Sequence, residues 1–173
     1  MPSSFQQITD LPGEERQAQL GPNGTAFVFV GDASGNPDIY LQRVGGRNPV
    51  NLTPDSPTAD TAPAFSPDGE RIAFRSDRDG GGIFVMGSTG ESVKRLTDFG
   101  YDPAWSPDGK QIVFSTGDGQ NPWSRDALAQ LWVVPSSGGE VRQLTKTGDA
   151  VQPSWSPSGR RIAFWGLRSD SGQ

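Results

Sequence analysis

Carboxylates are the residues in this sequence whose type and spacing could do chemistry. They recur on the stretch that follows each Leu-Thr or Ile-Thr pair: Asp10, Glu14 and Glu15; then Asp55 and Asp60; then Asp98 and Asp102; then Asp149. Like charges that converge from several loops focus an electrostatic field. They would hold a cation, an amine-bearing ligand or a basic peptide. The plainer use of any one of them is to cap a turn through an Asx hydrogen bond. Other catalytic equipment is scarce. The chain has no Cys and no His. That removes thiolate nucleophiles, disulfides, the commonest general base, the usual zinc ligand and any Ser-His-Asp triad. Chemistry would have to run on carboxylates, Lys, Tyr or a bound metal. The expectation is a protein that is not an enzyme and needs no cofactor.

One further segment has the composition of a contact surface. Phe74 and Ile83 are 9 positions apart, and Phe29 and Ile39 are 10 apart, but Phe114 and Leu131 are 17 apart. The longer connection carries Trp123, Arg125 and Asp126. A Trp beside an Arg where solvent-facing residues belong suits an interface anchor, and a loop folded back over its own sheet is the equal alternative. Asp77-Arg78-Asp79-Gly80 has the acids and glycine of a calcium loop but not its later ligands, so it reads as a hairpin. Gly80-Gly81-Gly82 opens no helix and so is no phosphate loop.

The elements that position these residues are repetitive. Gly21-Pro22-Asn23-Gly24, Ser66-Pro67-Asp68-Gly69, Ser106-Pro107-Asp108-Gly109 and Ser156-Pro157-Ser158-Gly159 are spaced by 45, 40 and 50 residues. Ser, Pro and Gly stand where a type I turn prefers them. Each turn is followed by an apolar triplet: Phe27-Val28-Phe29, Ile72-Ala73-Phe74, Ile112-Val113-Phe114, Ile162-Ala163-Phe164. A third strand carries Ile39-Tyr40-Leu41, Ile83-Phe84-Val85 or Leu131-Trp132-Val133. A glycine turn comes next, and then a strand ending in Leu-Thr. Both faces of the second strand are apolar, as in a sheet held between two others. Self-similarity of this period on strand-like segments predicts an all-β fold of β-propeller blades, each of four antiparallel strands. The 23 Gly and 15 Pro fall at periodic turns and fit that class.

These residues carry a resemblance. The pattern P-x-[F/W]-S-P-D-G-x-x-I-[A/V]-F, followed by an aromatic strand, a Gly turn and Leu-Thr, resembles the TolB-type, WD-like propeller repeat over nearly the whole chain. The first copy departs, with Gly-Pro-Asn-Gly for the turn and Leu20 for the aromatic. The family implies a bacterial origin and a binding scaffold. It also includes the propellers of prolyl-oligopeptidase-like peptidases and of some serine/threonine kinases, and Leu11-Pro12-Gly13-Glu14-Glu15 resembles segments of the kinase-linked group.

Counted as strands, the chain is a single domain of three full blades, about 18–53, 63–97 and 103–145. A fourth, split blade is made of 5–9 and 152–166. Propellers have about four to eight blades, so closure by a second copy is expected, giving a homodimer. A fragment of a larger ring and a thin four-bladed ring are the alternatives. In an up-and-down blade the longer, acidic connections share one face of the disc, where function concentrates. Asp55, Asp60, Asp98, Asp102 and Asp149 are therefore expected at the channel mouth, as a binding surface for a protein or a basic peptide. The formal charge of −5 argues against nucleic acid. No window approaches the roughly 18 apolar residues of a membrane span. A bacterial cytoplasm and a periplasm fit equally. An accessory propeller of a larger enzyme and a metal-dependent carbohydrate-active propeller are the competing functional readings. No G-x-S-x-G elbow is present for a hydrolase.

Overall fold

A computed structural model of the chain describes residues 7–119 and 128–167. Three four-stranded antiparallel sheets follow one another, each in simple sequential order. The first holds β1 (Glu15–Leu20), β2 (Ala26–Gly31), β3 (Asp38–Arg43) and β4 (Val50–Asn51). The second holds β5 (Asp60–Phe65), β6 (Arg71–Ser76), β7 (Gly82–Gly87) and β8 (Lys94–Arg95). The third holds β9 (Tyr101–Trp105), β10 (Gln111–Ser115), β11 (Leu131–Pro135) and β12 (Arg142–Gln143). A last sheet pairs β13 (Val151–Trp155) with β14 (Ile162–Trp165). This is the all-β blade architecture that the periodicity predicts.

The repeat motifs have visible physical work. In the second blade Gly69 N–H donates to Ser66 O at 2.9 Å, which closes the turn. Ser66 Oγ accepts from Arg71 N at 2.9 Å and donates to Asp68 Oδ1 at 2.5 Å. Ser106 and Asp108 repeat the arrangement in the third blade. Gly69, Gly109 and Gly159 take positive φ as the turn's last residue, which a Cβ would resist. The turns also touch in series: Pro22 packs over Gly69, Pro67 over Gly109 and Pro107 over Gly159. The Leu-Thr signature is a clasp. Thr53 Oγ1 accepts from Ile39 N at 3.1 Å, Thr97 Oγ1 from Ile83 N at 2.9 Å and Thr145 Oγ1 from Leu131 N at 2.9 Å. Each hydroxyl satisfies a main-chain donor at the start of the third strand, which the short fourth strand cannot reach.

The Ser66 hydroxyl, and then the Glu70 amide, hold the Asp68 carboxyl below its ordinary value. A depressed carboxylate stabilises the fold above its unfolded pKa, and the contribution is lost as pH falls through the lower folded value. Wild type should therefore exceed Asp68→Asn in urea midpoint at pH 7, and the gap should close on acidification below the ordinary carboxylate range.

The core lies between sheets. Val28, Val30 and Ile39 of the first blade meet Ile72, Phe74 and Phe84 of the second. Ala73, Ile83 and Val85 meet Trp105, Ile112 and Phe114 of the third. Val113 and Leu131 meet Ala150, Trp155 and Ile162 of the last. The second strand's residues therefore divide by face. Phe74 looks back to the preceding blade, and Ala73 looks forward to the following one.

Two readings need finer placement. The first strands begin earlier than their Pro residues suggest: β5 starts at Asp60, ahead of Pro63, because a bulge lets the chain pair on both sides of an unpaired dipeptide. At the N-terminal end Phe5 and Gln6 lie outside the described residues. Gln7–Thr9 form no strand there, and Ile8 O accepts from Gln42 Nε2 of the first blade at 2.5 Å.

Candidate channel-mouth site

Each first strand carries a bulge at the same repeat position, and each bulge holds a non-glycine residue in the left-handed region. The four are Gln17 (φ 54°), Ala62 (φ 50°), Asp102 (φ 50°) and Gln152 (φ 48°). Their register breaks fall at Arg16/Gln19, Thr61/Ala64, Val113/Ser115 and Val151/Ser154. Each such residue costs roughly 1–3 kcal/mol and persists where the surroundings over-determine it, commonly at binding sites. Here the bulge turns one side chain per blade out of the ladder. Gln17 Oε1 crosses to the next blade and accepts from Ala62 N at 2.9 Å. The Ala62 methyl cannot repeat that bridge towards the third blade.

A cleft of 470 Å³ opens at these strands. Glu14, Arg16 and Gln17 come from the first blade's entry, and Thr61, Ala62, Arg75 and Asp77 from the second. Tyr101, Asp102 and Asp118 come from the third. Four carboxylates thus meet two guanidinium groups. Arg16 pairs with Glu14 at 3.0 Å and Arg75 with Asp77 at 2.5 Å. The Arg75 guanidinium also lies over the Tyr101 ring, 4.9 Å from its centroid, which fixes the planar group in the cleft wall. Asp102 Oδ2 accepts from Gly119 N at 3.1 Å and so tethers the long connection to the mouth. The surface can recognise charge and hydrogen-bond an extended chain. No serine, lysine or tyrosine stands beside a base in it.

Of the acids expected at the mouth, Asp102 lines the cleft. Asp55 and Asp98 are exposed on their connections. Asp60 is fully buried and accepts from Arg78 Nη2 at 2.6 Å. Asp149 is buried, with Oδ1 accepting from Ala129 N at 2.8 Å and Oδ2 from Leu167 N at 2.7 Å. Trp123, Arg125 and Asp126 lie outside the described residues. Sequence reading left Asp77 in an ordinary hairpin and gave Arg75 and Tyr101 no role. The signal available was repeat phase, since Asp102 aligns with Gln17, Ala62 and Gln152. Among the described residues, no three or more His, Cys, Asp or Glu form a group able to hold a metal ion.

Comparison with known proteins settles the family. The TolB beta propeller domain profile matches residues 2–165. The chain belongs to the TolB β-propeller family. A TolB protein homolog of Chlorobium luteolum is 32% identical to this TolB propeller over 149 residues, covering 84% of the chain and 32% of the relative. An uncharacterized peptidase of Bacillus subtilis, YuxL, is 30% identical over 189 residues, covering 84% of the chain and 28% of the relative. The solved structure of a putative TolB from Agrobacterium tumefaciens superposes with a TM-score of 0.75 at 26% identity, over 95% of this chain and 60% of that one. The chain therefore spans about a third or less of these curated relatives. As a TolB propeller it has the fold of a scaffold whose loops offer a binding surface.

Proposed function

We propose that this chain is a non-catalytic propeller scaffold that binds a protein or peptide segment bearing a positive group at the channel mouth. The observation that carries the reading is the cleft between the first three blades, where Glu14, Asp77, Asp102 and Asp118 converge around two side chains already engaged as Arg16 and Arg75 pairs. Acidic walls of low dielectric strengthen the field on an incoming cation. The bulged strands present a recessed surface that admits an extended segment. A fluorescein-labelled lysine-rich peptide should bind wild type saturably. Asp102→Asn combined with Asp77→Asn should weaken it by about tenfold, a loss on the scale of one or two charge pairs. Undiminished affinity in the double variant would remove the cleft from the account.

Ring closure by a second copy belongs to the same reading. Ala18 is exposed on β1, whereas Pro63, Pro103 and Pro153 at its repeat position are buried; at the other end Ala163 is exposed, whereas Ala73 and Val113 are fully buried. Gly24 has open space where the other turn glycines meet a preceding proline, and Pro157 is the proline left over. These are complementary halves of one blade junction, as a head-to-tail pair requires. Light scattering on a sizing column should then give twice 18.5 kDa; a mass of 18.5 kDa at every concentration would exclude this closure.

The peptidase relative favours a second reading, in which the propeller serves a larger enzyme and the same cleft admits its substrate. In a chain that carries the catalytic part, Asp102→Asn would then raise KM for cationic substrates and leave kcat unchanged.

A further inference from the structure

We infer that β14 is an acceptor edge for an added β-strand, and that the strand it takes is an extended segment with an aliphatic–aromatic–aliphatic triplet supplied by another chain. The three complete blades define what belongs there. In each, the second strand's Phe lies opposite an aromatic of the third strand: Phe29 opposite Tyr40, Phe74 opposite Phe84, Phe114 opposite Trp132. The first two pairs have ring centroids 5.6 and 5.8 Å apart. The residues beside them pair Val28 with Leu41, Ala73 with Val85 and Val113 with Val133.

The fourth copy of this surface is uncovered. Phe29, Phe74 and Phe114 are 2% exposed or less, and Phe164 is 50% exposed. Since this side chain faces the preceding blade, as Phe74 does, its exposure reflects a missing strand beside β14 and not a missing blade beyond it. Ala163 reports the blade, and Phe164 reports the strand. The two surfaces are separable, so this inference stands apart from both the cleft and ring closure.

Main-chain geometry agrees. Ile39 uses its N–H and C=O towards the fourth strand, to Thr53 Oγ1 and Leu52 N. Main-chain groups alternate sides along a strand, so Tyr40 directs its own pair at Phe29. By repeat equivalence Phe164 offers N–H and C=O outwards from the edge of its sheet. Pairing along such an edge supplies affinity, and pockets for alternate side chains supply selectivity. The exposed Phe164 ring is the pocket wall for the central aromatic.

The test uses a labelled peptide of this chain's own third strand, residues 36–44, centred on Tyr40. Fluorescence anisotropy should show saturable binding to the intact chain. An analogue N-methylated at Tyr40 should not bind, because that amide is the one aimed at the acceptor edge. Phe164→Ser should weaken binding by about tenfold through loss of the aromatic pair, with an unchanged circular dichroism spectrum because the side chain is half exposed. Ala163→Glu should bind as wild type does. Failure to saturate would overturn the inference. So would equal binding of the N-methylated peptide, which would mark an unspecific apolar contact.

Discussion

Asp60→Ala is expected to lower the stability of the fold by about 3–5 kcal/mol, the usual consequence of removing one partner of a buried ion pair. Asp60 is fully buried, and Arg78 reaches it at 2.6 Å from a site whose side chain is 21% exposed. Asp60 Oδ1 has no partner among the described residues. Arg78 also lies over Phe74 and Phe84, 5.7 and 5.5 Å from the ring centroids. Losing the carboxylate leaves a cation above two apolar rings with nothing to neutralise it. Chemical denaturation followed by far-UV circular dichroism reads the loss. Asp60→Leu combined with Arg78→Met should recover much of it, since an apolar pair of similar volume removes the uncompensated charge. A single variant within about 1 kcal/mol of wild type would show that this pair does not secure the second blade.

The second large effect is a contrast between two copies of one position. Phe74 and Phe164 occupy the same place in their repeats, and sequence alone gives them the same role. Phe74 is fully buried between the first two blades, so Phe74→Ala should cost about 3–5 kcal/mol through lost transfer energy and a residual cavity. Phe164 is half exposed on β14, so Phe164→Ala should cost about 1 kcal/mol or less. Equal losses in the two variants would mean that the last sheet is as fully covered as the second.

The blades were legible because their chemistry is local and repeated. The Ser-Pro-Asp-Gly turn, the apolar triplet and the terminal Leu-Thr each satisfy a constraint within one repeat, down to the threonine hydroxyl that takes the amide of Ile83. The site was legible only in part. Acidity on the connections was visible, and so was Asp102 as a candidate. Which acids face the cleft depends on the bulges, and these place Gln17, Ala62, Asp102 and Gln152 at positive φ with no glycine to announce it. Asp60 and Asp149 look like Asp102 in sequence. Arg78 and the main-chain amides of Ala129 and Leu167 claim them instead, and those partners come from other parts of the chain. Arg75 gained its place through Tyr101, a neighbour from the next blade.

The central claim is that the channel mouth selects positive charge, and matched peptides test it most directly. Two labelled peptides of equal length and hydropathy, one lysine-rich and one glutamate-rich, are titrated against wild type at low and at high salt. The account predicts saturable binding of the lysine-rich peptide, progressive weakening with salt as exposed charges are screened, and no binding of the glutamate-rich one. Equal affinity for both peptides, or binding that salt leaves unchanged, would contradict it.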